Sequence, residues 1–127
     1  MAKWQNDTML DQALQWVEDQ SDQICICSGQ PASYDAAVGN TGTQVLATHA
    51  IVSTAFTIAD GDASGRKSTV AQQTGVSVTT TGTGDHFALV NTSTSTLVYV
   101  TTASAQSLTA GNSMTTAAWD IELADNS

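Results

Sequence analysis

From Gln23 onward, apolar side chains recur at every second position in short runs, and Gly, Asn and Asp clusters separate the runs. The last run is the cleanest. In Met114–Ala124, Trp119, Ile121 and Leu123 fall on one side, and Asp120 and Glu122 on the other. Successive side chains on a strand point to opposite faces, so period two means strands with one dry and one wet face. Runs of this kind spaced about every 8–12 residues predict a sandwich or barrel.

The expected strands are Gln23–Ser28, Gln44–Ala50, Ile51–Ile58, Arg66–Ala71, Gly75–Thr81, His86–Asn91, Thr96–Ala103 and Met114–Ala124. In Ile51–Ile58 the expected inward face is Val52, Thr54, Phe56 and Ile58. Val76 and Val78 are expected inward in the Gly75 run. Residues 29–40, which hold Pro31, read as a loop. Asp60–Gly65, Gly82–Asp85, Thr92–Ser95 and Ala110–Asn112 read as turns. The Asp60 turn between two strand patterns predicts a hairpin.

The start of the chain follows a different period. Met9, Leu10, Ala13, Leu14 and Val17 recur at three- and four-residue spacing, with Trp16 widening the apolar side. Asn6 or Asp7 can cap this helix, and Asp7 and Asp11 suit the positive end of its dipole. The expectation is one domain over residues 1–127. A helix of about 7–20 precedes an antiparallel β-sandwich of about 23–124, jelly-roll-like or barrel-like. At 127 residues the chain buries enough surface for one core without metal or disulfide support.

Charge narrows the partners. Only 12 % of residues are charged and the net charge is −9. The three cations are Lys3, Arg66 and Lys67. So few cannot form a phosphate-binding surface, so nucleic acid is not expected as a partner. Anionic membranes are disfavoured on the same ground, and no apolar run reaches the roughly 18–20 residues of a membrane span. The N-terminus lacks the apolar core of a signal peptide, which implies assembly in the cytoplasm. Thr, β-branched and tolerant of water, supplies much of the remaining polar surface.

Candidate chemical sites are weak. Cys25 and Cys27 lie two apart on one strand face, with Cα atoms roughly 6.5–7 Å apart, at the edge of disulfide reach. Zinc sites space their ligands differently and use four, so the pair reads as small strand residues. Asp60, Asp62 and Ser64 copy the first half of a calcium loop, but its twelfth position is Ala71 rather than Glu. A turn with Asx hydrogen bonds explains the same residues, with Arg66 and Lys67 close enough to neutralise it in part. His49 and His86 have abundant Ser and Asp around them in sequence, but no Gly-x-Ser-x-Gly elbow. Asp85-His86 reads as a turn Asp beside a surface or inter-strand His. Gly82 and Gly84 precede no helix, so they form no phosphate loop. Trp16 and Trp119 are expected in the core, whereas Trp4 either staples the helix or anchors a partner. No catalytic residue, cofactor or metal is expected, and the chain reads as a non-enzyme.

Four segments carry a resemblance. They are the opening from Met1 through Trp4, Met9 and Leu14, the stretch from Cys27 through Pro31 to Tyr34, the stretch Phe56–Lys67, and the closing Ala118–Asp125. Together they resemble small structural proteins of tailed-bacteriophage virions. The resemblance implies a particle component, specifically a capsid decoration (cement) protein that binds and stabilises the head shell. The alternative is a head-fibre or tail-associated module that binds a host surface or glycan. The implied partners are the major capsid protein or another virion protein, together with further copies in a dimer or trimer. The implied location is the virion. The expected partner contacts are Lys3, Trp4, Asp60, Asp62, Arg66 and Lys67, chosen for exposure and for being unusual in this chain.

Overall fold

The computed structural model describes residues 6–40, 44–62 and 65–123. Along the chain run α1 (Asp7–Gln20), β1 (Gln23–Cys27), α2 (Tyr34–Val38), β2 (Val45–Ala50), β3 (Phe56–Asp60), β4 (Arg66–Val70), β5 (Gln73–Ser77), β6 (Gly82–Asn91), β7 (Thr96–Leu108), β8 (Ser113–Thr116) and β9 (Trp119–Leu123). The strands form three antiparallel sheets, β2-β1-β6-β7, β3-β4-β9 and β5-β8. The all-β, sandwich-like architecture with one N-terminal helix is as expected. The barrel-like alternative is not realised, because the ladders among the described residues do not close.

The four-stranded sheet is the centre. Ile24 and Ile26 of β1 point to one side and Cys25 and Cys27 to the other, and all four are buried. On the Cys side, α2 covers the sheet through Ala37, packed with Ala88 and Val90. On the Ile side there are two apolar clusters. Ile24 and Leu89 meet Phe56, Val70 and Ile121 of the three-stranded sheet, and Leu14 of α1 fills the same cluster. Ile26 and Leu46 meet Val76 and Met114 of the two-stranded sheet. An isolated bridge from Ala47 to Val78 and the bond from Thr79 N–H to Leu46 O at 2.8 Å hold that small sheet to the edge of β2.

The first helix is capped by Asn6, whose Oδ1 accepts from Thr8 N–H at 2.7 Å. At its end Ser21 donates from both N–H and Oγ to Val17 O. Its buried stripe is narrower than its sequence pattern. Leu10 and Leu14 are buried and Val17 half-buried, whereas Met9 and Ala13 face outward. Trp16 is 50 % exposed, against its expected place in the core. Through this stripe the helix contacts β3 and β4 of one sheet and β7 of the other.

Four further expectations also change. Residues 29–40 contain α2, capped by Ser33 Oγ, which accepts from Ala36 N–H at 3.2 Å. Ile51–Ile58 is not one strand. Ile51 ends the first sheet by donating to Asp22 O, a 3₁₀ turn at Ser53–Ala55 carries the chain across, and only Phe56 onward pairs in the second sheet. Val52 is consequently 64 % exposed. Gly82–Asp85 is not a turn but the start of β6. A Cβ at Gly84 would lie 2.7 Å from Ile26 Cγ2, so glycine there permits a close approach. Met114–Ala124 divides into β8 and β9, which pair with different sheets through β5 and β4. The hairpin at Asp60 forms as expected, with Asp60 opposite Arg66.

Candidate interaction surface

The β3–β4 hairpin brings the expected charged residues together. Arg66 Nε donates to Asp11 Oδ1 at 2.7 Å and Arg66 Nη1 to Asp60 Oδ1 at 2.7 Å. The guanidinium therefore ties α1 to the hairpin. Lys67 Nζ reaches Asp62 Oδ1 at 2.6 Å and Asp120 Oδ2 at 3.5 Å. Asp62 N–H donates to Glu122 Oε1 at 2.8 Å, and Thr69 Oγ1 to Asp120 Oδ1 at 2.7 Å. Hydrogen bonds donated to Asp11 and Asp60 hold Arg66 above its ordinary pKa, and the bond donated to Asp62 does the same for Lys67.

Both cationic side chains are only 20 % exposed, while those of Asp60 and Asp62 are 87 % and 67 % exposed. Asp60 and Asp62 thus present an acidic tip, and Arg66 and Lys67 serve local ion pairs. Five carboxylates share two cations here, so the tip stays negative and suits a cationic or neutral partner. Among the described residues, no three His, Cys, Asp or Glu side chains converge as metal ligands. Lys3 and Trp4 lie outside the described residues, as does Ser64 of the calcium-like pattern.

A second feature has no counterpart in the local sequence. A cleft of about 320 Å³ opens where β7 faces the β8–β9 segment. Residues 101–104 line one wall consecutively, and residues 114–120 the other, with Ile26, Gly84 and Phe87 beneath. Neighbouring strand residues point to opposite faces, so consecutive lining means the chain presents its backbone edge to the cleft. The ring of Trp119 stands in one wall, 5.7 Å from the ring of Phe87 and 6.0 Å from that of Tyr99. Its Nε1 is buried and has no hydrogen-bond partner among the described residues. Asp120 is the one charged residue in the lining.

No protein-family model, curated protein or solved structure matches this chain.

The remaining candidates have local explanations. Cys25 and Cys27 are free and buried on the face under α2. Burial pushes the Cys27 thiol up to about 12 and raises Cys25 as well, so both stay protonated and unreactive at neutral pH. His86 Nδ1 lies 2.8 Å from Asp85 Oδ1, and the same oxygen accepts from Gly29 N–H at 2.7 Å. The hydrogen bonds from His86 and then Gly29 hold the Asp85 carboxyl below its ordinary value. The pair fastens the β1–α2 connection to β6. His49 sits half-buried on β2, away from that pair in the register.

Proposed function

We propose that this chain is a structural protein of a tailed-bacteriophage particle, acting as a decoration protein that binds the head shell. The supporting observation is the resemblance of the opening, Cys27–Tyr34, Phe56–Lys67 and Ala118–Asp125 segments to small virion proteins of that group. The scaffold suits the role. Two of those segments meet in one place, where Asp62 and Lys67 of the hairpin bond to Glu122 and Asp120 of β9. They form an acidic, exposed surface on a rigid sheet.

A shell protein needs repeated modest contacts rather than a pocket. Symmetric shells offer many copies of one contact, and a dimeric or trimeric decoration protein engages several together. Once one contact forms, the others act at high effective concentration. Binding to the assembled shell alone stabilises it by mass action. The net charge of −9 keeps free subunits apart and off packaged DNA. The partner in this reading is the major capsid protein, and the location is the virion after assembly in the host cytoplasm.

Co-sedimentation with expanded shells lacking this protein tests the reading. Saturable binding is expected. Absence of binding at saturating concentration, together with binding on a glycan array, would transfer the assignment to a fibre or tail module.

A further inference from the structure

Three free sheet edges converge on the cleft. Among the described residues, β7 pairs only with β6, β8 only with β5, and β9 only with β4. Each therefore carries a row of unused backbone donors and acceptors along its other side. An open seam therefore lies between β7 and the β8–β9 segment.

Natural proteins normally blunt such edges with charge or proline. Thr96–Leu108 has 13 residues and contains no Asp, Glu, Lys, Arg or Pro. Its central stretch is also out of ladder. Gly84 pairs with Gln106 and His86 with Thr102, so residues 103–105 have no partner across β6. The wall opposite holds Trp119, whose indole N–H is buried without an acceptor among the described residues.

We infer that this seam accepts an extended polypeptide segment, which adds as a strand along β7 and closes the sandwich. The occupant is a neutral or basic arm of a partner protein. Identifying that partner as the shell protein rests on the proposed function. Charge selects this occupant. The protein carries a net charge of −9, and β7 has no charged residue of its own, so a neutral or cationic segment is favoured over a second acidic copy, whereas Asp120 in the lining is already engaged by Lys67 and Thr69. Strand addition draws affinity from main-chain bonds and selectivity from alternate side chains, which the Ile26 and Phe87 floor would receive.

The test uses the full chain and two variants, Ser104→Pro and Ser104→Lys. Ser104 is exposed and outside the β6–β7 ladder, so both variants should keep the wild-type circular dichroism and melting temperature. Two probes are used, expanded shells and an alternating Thr–Val octapeptide with one terminal Lys. Hydrogen exchange should show slowed β7 amides with either probe. Both variants should weaken binding at least tenfold.

Shell binding that leaves β7 unprotected and survives both substitutions would overturn the edge inference while sparing the decoration role. Absence of shell binding would remove the decoration role. The octapeptide then decides the edge, and unprotected β7 amides at millimolar peptide would overturn it. Protection of β7 that follows protein concentration alone would replace the arm by a second copy and overturn the inference as stated.

Discussion

Leu14→Ala tests how α1 completes the sandwich. Leu14 is 1 % exposed and sits in a cluster with Ile24 and Leu89 of one sheet and Phe56, Val70 and Ile121 of another. Truncation removes three carbons from a site walled by two sheets and a helix, which resists collapse. Buried Leu→Ala changes cost about 2–5 kcal/mol, and a rigid site of this kind belongs near about 3. At about 4 °C per kcal/mol for a domain of this size, melting falls by about 12 °C. The urea midpoint falls by about 1.5 M for a slope near 2 kcal/mol/M. Val52→Thr is the control, because sequence periodicity places Val52 on the same core. With that side chain 64 % exposed, the change should stay within about 0.5 kcal/mol. A Leu14→Ala loss below about 1 kcal/mol, or a Val52→Thr loss as large as that of Leu14→Ala, would refute the helix placement and the crossing at Ser53–Ala55.

Gly84→Ala should destabilise by about 1–3 kcal/mol, read as a urea midpoint shift, because its Cβ would press on Ile26 Cγ2 at 2.7 Å; an unchanged midpoint would mean that β6 does not pack so closely. The Cys27 thiol titrates at about 12 when folded and near 9.0 when unfolded, so the unfolded chain releases its proton first as pH rises. Stability should therefore fall between pH 9 and 12, and Cys27→Ala should flatten that decline in urea titrations. Parallel pH curves for wild type and variant would show that the thiol is not buried as described. Asp85 titrates below the ordinary carboxylate value of 3.8, so its contribution is present above that pH and fades as pH drops through the folded value. Asp85→Asn should make the acid limb of the melting curve shallower, and an identical limb would break the link to His86 and Gly29. Millimolar calcium should leave the melting temperature unchanged, since Lys67 already engages Asp62 and Arg66 engages Asp60; a rise of several degrees would reveal a cation site at the turn.

The elements legible in the sequence are those whose burial is one-sided. Trp119–Leu123 alternates because β9 has one face on the core and one carrying Asp120 and Glu122 to the surface. The Asp60 hairpin is likewise legible, from a turn cluster between two β-rich runs. The elements that misled are those where tertiary context overrides local pattern. Ile51 through Ile58 alternates as a single strand would, yet the chain must leave one sheet and join another within it. Ala117 and Ala118 carry no turn signal, so the break between β8 and β9 is invisible locally. Gly82 and Gly84 look like turn residues because glycine marks both turns and close packing, and only the contact with Ile26 separates the two. Trp16 looks like core because a helical period cannot report how wide a stripe the partner sheets offer.

The candidate surface divides the same way. The Asp60–Lys67 cluster is legible because its ion pairs are mostly local, Lys67 to Asp62 and Arg66 to Asp60. Its link to Asp11, 55 residues away, is not. The cleft is harder still, because an edge is a property of sheet order. Thr96–Leu108 reads as a neutral polar strand whether it sits at the centre of a sheet or at its margin. Its lack of charge is unremarkable at a centre and unusual at an edge. Only the order β2-β1-β6-β7 shows that this uncharged strand lies at a margin, which is where the proposed arm would add.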